Sequence, residues 1–381
     1  MESVFSDEQK VELLADLVKF KSVNDGEEQV ANYISQLFKK HNISTQVMPV
    51  AKNRVNLIAE VGSGKPVIGI SGHMDVVDPG DLSRWDTDPF VLTEKEGKLF
   101  GRGATDMKSG LAAFIIALID IKEFNLLKSG TIRLMATVGE EIGEQGSQTF
   151  FEQNTMDDVD ALVIGEPSGY NLVYAHKGSM DIKLTSQGKA AHSSMPDLGY
   201  NAIDPLLNIL SAANKQFGST GKKSQLLGNL SFNTTVFNGG NQVNSIPEEA
   251  VAEINVRTIP EFNNHEVTKI MQELVDDENK KGAKVDMDVY MSLNSVQHSK
   301  DNKLINSAKS IGEKYFKNDI PKMVSPGVTD ASNLLKNKDV EFPFIVFGPG
   351  EPNVCHQPNE YVEKQMYLDF IDIYKQLLTE Y

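Results

Sequence analysis

His73 and Asp75 stand two residues apart in SGHMDVVD, just after the apolar run Pro66–Ser71. In an extended chain such residues share a face, so imidazole and carboxylate can project together. A carboxylate beside a metal-bound imidazole is a common orienting partner. A polar strand end with a satisfied His is the plainer alternative. The segment GRGATDMKSG puts Asp106 shortly before the apolar stretch that opens at Leu111. It lacks the G-x-x-x-x-G-K-[ST] spacing of a phosphate loop. Asp106 would repel phosphate but suits a metal ion, and it could equally cap the helix that follows. Glu140 and Glu141 follow the apolar run Thr131–Val138. Adjacent carboxylates at a strand end cannot both point the same way. That geometry favours divided roles, one carboxylate on a metal and one moving a proton. Glu166 in IGEP and His356 in CHQPNE also follow apolar runs. For each of these, an ordinary polar loop group is the alternative. Taken together, two His and several carboxylates form the donor set of a hydrolytic Zn or Co centre, with enough carboxylates to bridge two metals.

Positioning such a set requires strand ends that converge. Residues 7–21 and 27–40 show apolar spacing near 3.6 and read as amphipathic helices. The apolar runs Val55–Val61, Pro66–Ser71, Thr131–Val138, Ala161–Ile164 and Phe344–Gly348 have strand length. A helix at Lys108–Lys122, a shorter one after Gly146, and others at 301–315 and 361–379 alternate with them. The fold class expected is therefore α/β, with a central mixed, mostly parallel sheet flanked by helices. Ligands in such sheets bind beyond the carboxyl ends of the strands. Between 177 and 291 the pattern changes to alternating strands and two helices, in the order β-α-β-β-α-β of a ferredoxin-like sandwich. The predicted organisation is one split domain, 1–176 plus 292–381, with an inserted domain at 177–291.

Composition narrows the classes further. Among 381 residues, 37 Lys and Arg face 53 Asp and Glu, a formal net charge of −16. That excess of acid argues against nucleic acid as a partner. The single Cys, Cys355, excludes a disulfide scaffold and a thiolate zinc site. The polar start MESVFSDEQK does not read as a signal peptide. The longest apolar run, Leu111–Ile119, falls well short of the ~20 residues that span a bilayer. A cytoplasmic protein without membrane contact is expected.

The segments SGHMDVV, GRGATDMKSG, GEEIG, IGEPSG, SQGKAAHSS, NSIPEEA, NVR and the late His occur in one order through most of the chain. This combination resembles the dinuclear-zinc amidohydrolase and exopeptidase family, which includes acetylornithine deacetylases, succinyl-diaminopimelate desuccinylases, aminoacylases and glutamate carboxypeptidases. The resemblance implies a zinc-exopeptidase-like catalytic domain and two divalent metal ions per subunit, Zn, Co or Mn. It implies His73, Asp106, Glu141, Glu166 and His356 as metal ligands, with Asp106 bridging and its peptide bond to Met107 cis. Glu140 would be the general base and Asp75 the orienting carboxylate of His73. The inserted domain would be a lid and dimerisation domain of a homodimer, with His192 reaching across the dimer to the oxyanion. Arg257, Asn244, Gly327, Thr329 and Ser179 would contact a small N-acyl amino acid substrate. Within the family the pattern is most similar to the succinyl-diaminopimelate desuccinylases. The reaction implied is hydrolysis of N-succinyl-LL-2,6-diaminopimelate to succinate and LL-2,6-diaminopimelate. Two departures stand out: His176-Lys177 where better-known desuccinylases carry two arginines, and Met195 where they carry an aromatic residue. Acetylornithine deacetylase, another N-acyl amino acid hydrolase, a dipeptidase or carboxypeptidase, and a non-catalytic binding protein remain the alternatives.

Overall fold

The strand Val67–His73 is buried along its whole length. It can be so because it is paired in parallel on both sides, with Gly130–Thr137 and Ala161–Pro167. Strands covered on both faces must be continuously apolar, as VIGIS is. These features come from a computed structural model of the chain, which describes residues 2–381. Phe344–Gly348 extends the parallel centre beyond Ala161–Pro167. The expectation of a mostly parallel sheet holds for this centre only. Arg54–Ser63 runs antiparallel to Gly130–Thr137 and pairs antiparallel with Thr45–Ala51. Only Lys52 and Asn53 separate the last two strands, and so short a connection permits no parallel crossover.

The chain divides into two compact units. The first comprises the chain through Tyr174, then His298–Met323 and Thr329–Tyr381. The second comprises Ala175–Gln297 and Val324–Val328. This division departs from the boundaries read in the sequence in one notable way. Residues 324–328 go with the second unit, where the Lys177 amide donates to the Ser325 carbonyl at 3.2 Å.

In the first unit, the helix Lys108–Glu123 is buried almost all round. It approaches the strand Ala161–Pro167 so closely that a Cβ on Gly110 would lie 2.0 Å from the Gly165 carbonyl oxygen. The helix Lys364–Glu380 covers it, stacking Tyr374 on Phe114 at 4.1 Å between ring centroids. Such a pair is worth about 0.5–1.5 kcal/mol beyond its buried area. A small three-stranded sheet, Tyr361–Glu363, Lys98–Phe100 and Thr93–Lys95, ties the C-terminal part of the chain to the segment before Asp106. Its strands have three residues each, too few to show a period in the sequence.

The second unit is a four-stranded antiparallel sheet in the order Ser231–Gly239, Glu249–Thr258, Gly178–Gln187, Val285–Leu293. The helices Ile203–Ser219 and Asn264–Lys280 complete the β-α-β-β-α-β sequence. Burial alternates along Glu249–Thr258, as the alternating sequence requires of a sheet covered on one face. Asn263 and Glu266 form a reciprocal capping box at the start of the second helix.

Candidate metal centre

The four parallel strands each deliver an acid or imidazole to the same end of the sheet. His73 is the last residue of Val67–His73, and Glu166 lies near the end of Ala161–Pro167. Glu140 and Glu141 form a tight turn just after Gly130–Thr137. His356 follows Phe344–Gly348 by way of a short turn at Pro352–Val354. Asp106 precedes the crossover helix; the cap position is Met107, so the Asp106 side chain is free of capping. The Asp106–Met107 peptide bond is cis.

Asp106 stands between the two imidazoles. Its Oδ1 lies 3.1 Å from His73 Nε2 and its Oδ2 lies 3.3 Å from His356 Nε2. Glu166 Oε1 is 3.5 Å from His73 Nε2, and Glu141 Oε2 is 3.0 Å from His356 Nε2. Donor atoms of His73, Asp106 and Glu141 all lie within 4.8 Å of one another, as do those of His73, Glu140 and Glu166. The Asp75 carboxylate lies at ion-pair distance from His73. The His73 Nδ1–H donates to the Asp75 backbone carbonyl at 2.9 Å, while the nearer carboxylate oxygen is 3.6 Å away. That carboxylate also accepts the amides of Glu140 and Glu141, at 3.3 and 3.2 Å. Asp75 thus fixes the turn of the glutamate pair and, through its carbonyl, the tautomer of His73.

The cluster is short of positive charge. Among the described residues no Lys or Arg forms an ion pair with Asp106, Glu140, Glu141 or Glu166. Burial, then repulsion by Glu166, raises the Glu140 carboxyl well above the usual range. Burial, then repulsion by Asp106 and Glu141, does the same to Glu166, and burial with Asp106 raises Glu141. Burial opposes protonation of His73, but Glu166, Asp106 and Asp75 outweigh it and raise that imidazole well above its ordinary value. Asp106 and Glu141 push His356 up to about 10. The acids therefore draw protons wherever the imidazoles can hold them. Paired buried carboxylates with imidazoles at their free oxygens are the donor chemistry of a divalent cation, and these residues fit one.

Several residues around the centre escaped the sequence reading. Glu360 accepts the amides of Thr105 and Asp106 and pairs with Arg102. Asp330 accepts the Thr137 hydroxyl at 2.5 Å. Asn333 Nδ2 donates to Glu144 Oε2 and Ser147 Oγ, at 3.2 and 3.0 Å. Burial and Asp330 raise Glu144 well above the carboxylate range. Only Glu360 had a local signal, since it closes the CHQPNE segment already singled out for His356.

Thr329 is buried in the first unit, and its hydroxyl accepts the Ala331 amide at 3.3 Å. Gly327, Ser179, His192, Asn244 and Arg257 belong to the second unit. There Ser179 is paired with Arg257 across two strands, and Asn244 lies beside the bridge between His192 and Ser245. Among the described residues Arg257 has no ion-pair partner. His192 is exposed, and its Nδ1 accepts the Ser194 amide at 3.2 Å. The Ser194 hydroxyl oxygen also lies 2.8 Å from the same Nδ1. Cys355 is held firmly as a neutral thiol by burial and by Asp106, so a thiolate role finds no support.

The chain matches peptidase family M20/M25/M40 over residues 69–380. A Staphylococcus aureus protein named a probable succinyl-diaminopimelate desuccinylase is 41% identical, with 100% of this chain and 99% of that protein covered. A succinyl-diaminopimelate desuccinylase of Wolbachia pipientis is 30% identical over 97% of this chain and 93% of its own. Among solved structures, an M20 family metallo-carboxypeptidase from Sulfolobus solfataricus superimposes with a TM-score of 0.84 at 19% identity, covering 97% of this chain and 98% of that one. A dinuclear metal binding peptidase of the M20 family from Bacillus subtilis has a TM-score of 0.70 at 19% identity, covering 98% of each chain. At such identities the structural likeness concerns the fold.

Proposed function

Because this chain belongs to peptidase family M20/M25/M40, a family of metal-dependent hydrolases, we propose that it cleaves the amide of N-succinyl-LL-2,6-diaminopimelate at a centre of two divalent cations. The observation that carries the reading is the Asp106 carboxylate, which offers one oxygen to each of two imidazole-bearing clusters. His73 and Glu166 would complete one cation site, and His356 and Glu141 the other. The substrate assignment rests on the full-length relatives named for that activity. Zinc is the cation proposed, with cobalt or manganese as substitutes in the test.

The bound cations would supply Lewis acidity and a nucleophile at neutral pH. Glu140 stands beside the ligands without an ion-pair partner of its own among the described residues. It takes a proton from the attacking water and returns it to the leaving amine as the C–N bond breaks. The Asp75 carboxylate, accepting the amides of Glu140 and Glu141, fixes the main chain that carries the base. His192, which is exposed, is proposed to reach across the dimer and donate to the carbonyl oxygen as charge develops there. Arg257 is proposed to grip a substrate carboxylate, with Ser179, Asn244, Gly327 and Thr329 completing the substrate contacts.

A homodimer through the second unit is also proposed. Its support is the edge strand Ser231–Gly239, which pairs on one side only and exposes Val236 and Phe237. No helix among the described residues is long and apolar enough to cross a membrane, in keeping with the proposed cytoplasmic location.

One observation favours a second reading, a dipeptidase. His176, which stands where better-known desuccinylases carry an arginine, is buried, with its Nδ1 2.8 Å from the Lys177 carbonyl oxygen. The deciding measurement is kcat/KM on the metal-loaded protein with succinyl-diaminopimelate, acetylornithine, other N-acyl amino acids and dipeptides. A preference for the succinylated substrate by tenfold or more supports the proposal. A dipeptide leading the panel overturns the substrate, and no hydrolysis of any of them overturns the catalytic reading.

A further inference from the structure

Glu360 lies four residues beyond His356, is 1% exposed, and uses both carboxylate oxygens within the fold. Its Oε1 accepts the amides of Thr105 and Asp106, at 2.9 and 3.0 Å. Its Oε2 accepts from Arg102, which is itself 1% exposed. The main chain repeats the connection: the Gly101 amide donates to the Glu360 carbonyl at 3.0 Å, and Thr105 Oγ1 donates to the Tyr361 carbonyl. The small sheet pairs Tyr361 with Phe100 immediately beside these bonds. Arg102 reaches the Asp78 carbonyl at 3.4 Å and lies 5.2 Å from the Trp85 ring centroid. A buried charge is tolerated only when fully paired, and a carboxylate taking two amides and a guanidinium is fully paired. The same carboxylate fixes where the Asp106 main chain sits, and its own segment carries His356.

We infer that Glu360, held by Arg102, is a positioning residue that locks the loop of Asp106 to the loop of His356 and thereby sets the centre's affinity for divalent cation. The inference rests on the proposed metal site. Asp106 can serve two cations only if its carboxylate is aimed between His73 and His356. An aspartate has two side-chain torsions, so its aim depends on where its backbone is held. Two amide hydrogen bonds on one buried oxygen remove that freedom. Partners of this kind, one bond removed from the ligands, are worth roughly 10–100-fold in metal affinity.

The test compares chains that lack the ion pair but differ in the acceptor. R102M/E360Q retains an oxygen that can accept both amides, whereas R102M/E360M retains none. Neither leaves a buried charge unpaired. Each full-length protein, freed of metal, is titrated with Zn²⁺ against a chelator of known affinity, and its melting temperature is recorded without metal. The expected result is zinc affinity about 10–100-fold weaker for R102M/E360M than for R102M/E360Q. Equal affinities overturn the inference. If the double variants do not fold, E360Q and E360D replace them. E360Q keeps the oxygen at full reach, and E360D keeps the charge but withdraws the oxygen by one methylene. Weaker zinc binding by E360D supports positioning; weaker binding by E360Q shows that charge alone matters and overturns it. Failure of the unaltered protein to bind zinc overturns the metal reading itself, which keeps the two failures distinct.

Discussion

The two halves of the candidate centre are built differently. The His73 half stands on strand ends inside a parallel sheet, and the His73 side chain is 0% exposed. The His356 half stands on a loop, and that side chain is 53% exposed. His73 is held through Nδ1 by a backbone carbonyl, whereas among the described residues the His356 ring meets Asp106 and Glu141. The His356 backbone lies in the left-handed region at φ +62°, uncommon for a residue other than glycine. A strand end fixes its side chain through the sheet ladder. A loop histidine is fixed by the groups it touches, which are themselves acids needing a positive partner. From this contrast we predict that the His73 half holds its cation more firmly than the His356 half.

Four experiments sharpen or break this contrast. The largest effect belongs to the base that serves both halves. Glu140→Gln should lower kcat by roughly 10²–10⁴-fold while two equivalents of metal stay bound. Loss of one equivalent would instead make Glu140 a ligand beside His73 and Glu166. Next comes the asymmetry itself. His356→Ala should cost one equivalent of metal, whereas His73→Ala should cost both, because Asp106 then lacks its buried partner; metal analysis after dialysis decides. Equal losses would erase the difference between the halves. Gly110→Ala should push the crossover helix off the strand that bears Glu166. Overpacking of this kind costs about 1–3 kcal/mol, read as a lower denaturant midpoint, with metal binding weakened as well. An unchanged midpoint would mean that the helix shifts without cost. The smallest effect is optical. Trp85, the only tryptophan of the chain, lies against Arg102, so its emission should shift by a few nanometres or less when zinc binds. Emission that ignores zinc would show Arg102 standing still while the centre fills.

Much of the architecture was legible because burial imposes period. VIGIS and FIVFG read as buried strands, and the alternating strands of the second unit read as half-covered ones. The strand Thr45–Ala51 was missed because it is an edge: its side chains are half-buried or exposed, and no period had to be kept. Its partner Arg54–Ser63 is largely buried and was legible as the run Val55–Val61, but an apolar run does not reveal the direction of its pairing. At the centre, His73, Asp106, Glu140, Glu141, Glu166 and His356 each follow an apolar run or precede a buried helix, so their types and places could be read locally. Glu144 and Asp330 could not, and Glu360 was marked only by its place in CHQPNE, since a buried acid in a loop looks in sequence like a solvated one. Its burial becomes visible only with its partners. Alternation placed the Asp75 carboxylate beside His73, but gave no sign of the two amides that the turn after the neighbouring strand brings to it.

By itself, then, the sequence determined which side chains could do chemistry and which segments would be strands, because residue type and periodicity are local properties. It also determined that any metal would be held by imidazole and carboxylate, since one cysteine cannot supply a thiolate set. The tertiary structure decided how those groups meet: the order of the strands, the placing of Asp106 between two imidazoles, and the buried bonds from Glu360 and Asp75 that hold the loops. Those side-chain contacts join residues 33 to 258 apart. Local propensity carries no information about such pairings, which are chosen by the joint demand that every buried polar group find a partner.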